Sequence, residues 1–202
     1  MPLRRPDLSV IGAVLAIGAV LPAHAAQRSP APSVTAVAPV PPPTQLEDLL
    51  TRPNTLVTQD LYRVTDRLSL NFGLTIDAVV AKDVMPGANR LRGIRVEVRD
   101  QGPPDRIRTS YVDFGELAGL SQALMQMVTA ASQWTGREDT RAMDARFATA
   151  GGFVLGFHQD SRDQQVYVSA GLVDPARRAC NVQDLATIKT AVEDAIVLLK
   201  EK

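Results

Sequence analysis

Apolar residues recur at three- and four-residue spacing between Leu117 and Ala131. Leu117, Leu120, Leu124, Met127, Val128 and Ala131 therefore share one face of an α-helix. Asp113 stands at the capping position and Glu116, three residues later, completes a capping box, so the pattern predicts a helix entered at Asp113. Trp134 lies just past the stripe, and Gly136 suits a C-terminal stop. A second stripe, Leu185, Ile188, Val192, Ala195, Ile196 and Leu199, follows Asn181 as cap and Asp184 as its third residue. The two stripes and their caps coincide at a constant offset of 68 residues. A shorter helix opens on the capping-box run Thr44-Gln45-Leu46-Glu47, carries Leu46, Leu49 and Leu50, and is ended by Pro53.

Between the helices the period changes from 3.6 to 2. In Gly93 to Asp100, Ile94, Val96 and Val98 face one way while Arg95, Glu97 and Arg99 face the other, the mark of a strand with one buried side. Further strands are predicted around Leu56–Ser69, Leu74–Lys82, Ile107–Val112, Asp144–Ala150, Phe153–Phe157 and Val166–Gly171. Turns fall at Met85 to Asn89, Gly102 to Asp105 and Asp174-Pro175, with a polar hairpin loop over Gln159 to Gln164. Gly151-Gly152 reads as a bulge or kink. Ile94, Val96 and Val98 correspond to Val166, Val168 and Ala170 at an offset of 72.

These elements give an α+β fold: antiparallel β-meanders and two amphipathic helices, arranged as a duplicated βββα unit over residues 72–134 and 144–202. The competing explanation is that any two capped amphipathic helices align once their starts are matched. In either case the strands form one sheet or two packed ones, with the helices covering the apolar faces.

The start of the chain bears on where this domain works. Arg4 and Arg5 precede an uncharged, mostly apolar run from Leu8 to Ala23, which ends in Pro22 and the small-x-small sequence Ala23-His24-Ala25-Ala26. This is the pattern of a cleavable signal peptide, residues 1–25, with cleavage after Ala25 or Ala26; an uncleaved signal-anchor is the alternative. The run is short against the roughly 20 apolar residues of a membrane-spanning helix. Residues 26–43 carry six prolines and one charge, Arg28, which predicts an extended linker. The single domain is then 44–202, periplasmic or secreted, with no membrane span in the mature chain. Removing Arg4, Arg5 and Asp7 from 22 basic and 22 acidic residues leaves 20 and 21, a net charge of −1, which gives no general pull toward nucleic acid.

Candidate chemistry is sparse. Cys180 is the one cysteine, so no internal disulfide forms; it is either an intermolecular or reactive thiol near Arg177 and Arg178, or a small buried hydrophobe. His158, the one histidine after Ala25, sits near Asp160 and Asp163 without metal-ligand spacing, and reads as an exposed turn residue. Asp160 to Asp163 lacks the glycine and terminal glutamate of a calcium loop, and no nucleophile elbow or phosphate loop is present. No catalytic, cofactor or metal residue is assigned, and no cofactor is expected. Arg90, Arg92, Arg95, Arg99, Arg106 and Arg108 fall within 19 residues, and the last five are candidates for an anion-binding stripe, interleaved though they are with Glu97, Asp100 and Asp105.

The order of meander then helix, given twice, resembles the tandem unit of the PC4/Whirly-type single-stranded nucleic-acid binders, although no contact residue of that family maps onto a position here. The runs Ile94 to Val98, Ser110 to Phe114 and Gly151 to Gly156 resemble bacterial exported proteins of unknown function, a resemblance covering roughly residues 60–200. The expectation that follows is an exported, non-catalytic binding or structural module meeting a protein, a cell-envelope partner or a second copy of itself. Two alternatives stand beside it: a polyanion-binding domain using the arginines, and a periplasmic hydrolase of unrecognised type.

Overall fold

The computed structural model describes residues 44–64, 73–85, 87–100, 105–134 and 142–202. Helix α1 spans Gln45–Thr51, and its capping box is complete: the Glu47 N–H donates to Thr44 Oγ1, and the Thr44 N–H donates to Glu47 Oε2, both at 3.1 Å. Four strands follow, β1 (Val57–Arg63), β2 (Leu74–Asp83), β3 (Arg90–Arg99) and β4 (Ile107–Asp113), paired antiparallel in chain order. A 3₁₀ turn at Phe114–Glu116 leads into α2 (Leu117–Ser132). A second four-stranded meander, β5 (Met143–Ala148), β6 (Val154–Gln159), β7 (Gln164–Ala170) and β8 (Ala176–Cys180), leads into α3 (Asp184–Glu201). No helix among the described residues is long and apolar enough to cross a membrane.

The class is α+β, as the patterning predicts, but each half is ββββα rather than βββα. The first unit starts at Val57, ahead of residue 72, because β1 pairs along its whole length with β2. In the second half β8 is the addition. Its residues Ala176-Arg177-Arg178-Ala179-Cys180 show no apolar alternation, since an edge strand with one neighbour buries only its first residue fully. Gly151-Gly152 forms the tight turn between β5 and β6 instead of a bulge within a strand. A Cβ on Gly151 would collide with the carbonyl oxygen of Tyr111, so glycine is what lets this turn reach the backbone of β4. Gln159 and Gln164 belong to β6 and β7; the loop between them is only Asp160 to Asp163, closed by the Asp160 N–H on the Asp163 carbonyl at 3.0 Å. Residues 65–72, Pro86, 101–104 and 135–141, which include the ends of some expected strands and turns and Gly136, lie outside the described residues.

Both long helices start alike. Glu116 Oε2 accepts the Asp113 N–H at 3.4 Å, and Asp184 Oδ2 accepts the Asn181 N–H at 2.8 Å, each through one tight turn before the α-helix proper. The matched apolar positions are in the core: Leu117, Leu120, Leu124 and Met127 on α2, and Leu185, Ile188, Val192, Ala195 and Leu199 on α3 are all buried. So are Ile94, Val96 and Val98 on β3 and their counterparts Val166, Val168 and Ala170 on β7.

The packing crosses between halves. Helix α3 lies on β2 and β3 of the first sheet, whereas α2 lies beside α3 and against β5 of the second. The side-chain clasps follow the same exchange. Arg92 on β3 donates to the Leu199 carbonyl at 2.8 Å near the end of α3, while Trp134 Nε1, just after α2, donates to the Asp160 carbonyl in the β6–β7 loop at 2.9 Å. One continuous apolar cluster runs from Leu74 to Leu199 through both sheets and both helices. The first sheet also buries part of its other face under α1, through Leu46, Leu49, Val79 and Ala81.

Leu120→Ala and Ile188→Ala are each expected to lower unfolding stability by about 2–5 kcal/mol, because the vacated volume sits in a core that cannot fully collapse. Met125→Ala, on the exposed side of α2, is expected to stay within about 0.5 kcal/mol. Denaturant unfolding of the three variants checks the contrast.

Candidate functional site

Strand pairing assigns the arginines within β3 and β4 to a face. Arg95 and Arg99 alternate with Ile94, Val96 and Val98 and so occupy the outer face. Arg92 is on the core-side parity of β3, and Arg108, opposite Val98, shares that parity on β4. The five candidates thus do not line up on one surface. Nor are they unengaged. The carboxylate of Asp77, 2 % exposed, receives Arg95 Nη2 at 2.6 Å and Arg63 Nε at 3.2 Å. A buried carboxylate needs such partners, so Arg95 is held by the fold. Arg99 pairs with Asp105 at 2.9 Å. Arg106 binds Asp100 at 2.7 Å and Asp174 at 2.8 Å, and Arg108 binds the same Asp174 at 3.1 Å. The guanidinium of Arg106 holds the Asp174 carboxyl below its ordinary range. Together these two arginines tie β4 to the loop between β7 and β8.

Arg92 and Arg90 reach the other way. Arg92 donates to Leu199 O, Arg90 donates to Lys202 O at 3.2 Å, and the Arg92 guanidinium stands 5.1 Å from the Phe114 ring centre. They line a concavity of ≈ 570 Å³ at the start of α1. There the Asp113 carboxylate accepts the N–H groups of Gln45 at 2.7 Å and Leu46 at 3.1 Å. The polar groups of this hollow serve the junction of α1, α3 and the first sheet.

The second sheet is different. Its outer face carries Asp144 and Arg146 from β5, Gly156 and His158 from β6, Gln165 and Tyr167 from β7, and Arg177 from β8. The Tyr167 ring lies flat over Gly156, where any Cβ would collide with the ring. Arg177 stacks on the ring, 3.7 Å from its centre. Glycine beneath and guanidinium above fix the aromatic ring on an open sheet face. Among the described residues Arg177 has no carboxylate partner.

Beside this stack lies a groove of ≈ 500 Å³, lined by residues including Trp134, Gln164, Gln165, Tyr167, Arg177 and Gln183. It exists because β8 is shorter than β7. β8 stops at Cys180, opposite Val166, so Gln164 and Gln165 have β6 on one side and no strand on the other. The floor is fixed by Gln164, whose Nε2 donates to Ala131 O at 3.1 Å and to Gln159 Oε1 at 3.0 Å.

Cys180 also borders the groove, half-buried, with its thiol pushed up to about 12 by burial and then by Asp184. That favours the packing role over the reactive one, since the thiolate is the reactive form. His158 is a strand residue, not a turn residue, and its partner is Asp144, at 2.6 Å, with Asp160 at 3.8 Å. It lines neither concavity. No group of three or more His, Cys, Asp or Glu able to hold a metal is found among the described residues.

Sequence reading located the arginines and His158 but missed the Gly156–Tyr167–Arg177 stack. The signal for it is a register between β6, β7 and β8, and β8 has no periodicity to reveal it. No protein-family model, curated protein or solved structure matches this chain. The resemblance to PC4/Whirly-type domains therefore rests on element order alone and lends no function.

The Asp144 hydrogen bond raises His158 above its ordinary value of 6.5. A raised folded value means the pair stabilises the fold fully below the ordinary value and loses that contribution as pH rises through the folded one. The stability difference between the native chain and His158→Gln is accordingly expected to shrink as pH rises above the ordinary value. In an NMR titration the His158 midpoint should fall toward the ordinary value in Asp144→Asn; an unchanged midpoint would contradict the pairing.

Proposed function

We propose that this chain is an exported, non-catalytic binding module that meets its partner through the outer face of the second sheet and the groove beside β8. One observation carries the choice of surface: Arg177 is fixed on Tyr167 beside an open groove, with no carboxylate partner among the described residues. The export reading rests on Arg4, Arg5, the apolar run Leu8 to Ala23, and the small-residue site that follows. A polyanion stripe on the first sheet finds less support, because its arginines divide between two faces and are held by Asp77, Asp100, Asp105, Asp174 and the end of α3. A hydrolase reading finds less as well, since the His158–Asp144 pair stands on an open face away from both concavities.

Expression of the full chain in a Gram-negative host, with a photo-crosslinking side chain at Gln165 or at Asp194 on the exposed side of α3, tests both parts. The expected product is periplasmic, begins at Ala26 or Gln27, and gives a discrete crosslinked species from position 165 only. A cytosolic product that keeps Met1 would refute export. Equal crosslinking from both positions would refute the surface.

A further inference from the structure

From the groove beside β8 we infer a carboxylate-recognition site for an extended peptide, with Arg177 receiving the carboxylate. This rests on the binding-module reading above and adds the chemistry of what is bound.

A guanidinium offers a planar fork of donors that matches a carboxylate in bidentate geometry. The value of that fork depends on its being oriented beforehand, because ordering a long side chain costs free energy on binding. Arg177 is already oriented. Its guanidinium carbon stands 3.7 Å from the Tyr167 ring centre, Tyr167 is seated against Gly156, and no described residue accepts a hydrogen bond from the guanidinium donors. Elsewhere in the molecule Arg95, Arg99, Arg106 and Arg108 spend their forks on aspartates of the same chain. Arg177 has the same chemistry, is exposed, and has no such partner among the described residues.

The rest of the groove suits a peptide. Gln164 and Gln165 belong to a strand that lacks a neighbour on the β8 side, so an extended main chain has room where β8 stops. Asn181 and Gln183 bring amide side chains, which can both donate to and accept from peptide groups, while the Asp163 carboxylate that also lines the groove is held by the Gln164 N–H at 2.7 Å and by Gln165 Nε2 at 3.3 Å. Trp134 adds an apolar wall, part-buried and fixed by its bond to Asp160 O. The volume, ≈ 500 Å³, lies in the ordinary range of ligand sites, about 300–1,000 Å³, and holds a few residues rather than a folded partner.

Trp134 is the one tryptophan in the chain, so its emission reports directly on the groove. The test titrates the full mature domain with a mixed-sequence N-acetylated tetrapeptide library ending in a free carboxylate, the same library as C-terminal amides, and sodium acetate. A saturable change in Trp134 emission with the acid library is expected, at least about tenfold weaker with the amides and in Arg177→Gln, with Arg177→Lys in between. Arg52→Gln, at the exposed end of α1 and outside the groove, is expected to leave binding unchanged. Acid and amide libraries binding alike, no saturable change with either, or full binding by Arg177→Gln would each overturn the assignment. Acetate matching the acid library would limit the site to a small free carboxylate and overturn the peptide part. Crosslinking from Gln165 in cells reads the surface independently, so failure here leaves the module reading standing and marks only its ligand chemistry as mistaken.

Discussion

The apolar stripe of each long helix must be covered, and in this chain the cover comes mainly from the other half. Helix α3 lies on β2 and β3, while α2 lies on β5 and along α3. Burial of side chains such as Leu120, Leu124, Ile188 and Val192 is the favourable term, at roughly 1.5–3 kcal/mol each. Because of the exchange, that term is collected only when both meanders are in place. The polar contacts reinforce the crossing. Arg92 holds the last turn of α3, Trp134 pins the end of α2 to the β6–β7 loop, and Ser121 Oγ donates to Glu193 Oε1 at 3.3 Å between the helices. The sheets are further joined by the Gly171 N–H on Ser110 Oγ at 2.9 Å and by the arginines around Asp174.

This arrangement decides which surfaces remain for function. The first sheet is packed on both sides, by α3 and by α1, and its arginines become the fasteners of that packing. The second sheet receives its helix and the first sheet on one face and keeps the other open. The groove arises at the point where β8 ends early to begin the crossing helix α3. The same chain path that closes the core therefore leaves the start of β7 without a neighbour on that side and brings Arg177 onto Tyr167.

Much of the fold was legible in the residues. The matched helices could be read because burial of one face imposes a 3.6-residue period, and Ile94-Val96-Val98 could be read because one-sided burial imposes a period of two. β8 escaped because its residues Ala176 to Cys180 answer to neither rule: an edge strand is stabilised by pairing with β7 more than by its own side chains. The arginines of the first sheet show a complementary limit. Their clustering is visible in sequence, but the aspartates that claim them include Asp77 and Asp174, 18 and 66 residues away from Arg95 and Arg108 respectively, and only the fold brings them together. The candidate site was the least legible part. Gly156, Tyr167 and Arg177 are unremarkable along the chain, and become a stack only through strand register.

The two halves complete each other. Producing residues 44–134 and 142–202 as separate chains, alone and mixed, and following amide hydrogen exchange in β2, β3, β6 and β7 tests this most directly. Each piece alone should show little protection, and mixing should restore slow exchange in both sheets together. A single piece that protects its own strands to the level of the intact chain would show that its helix covers its own sheet, and the crossed packing would be wrong.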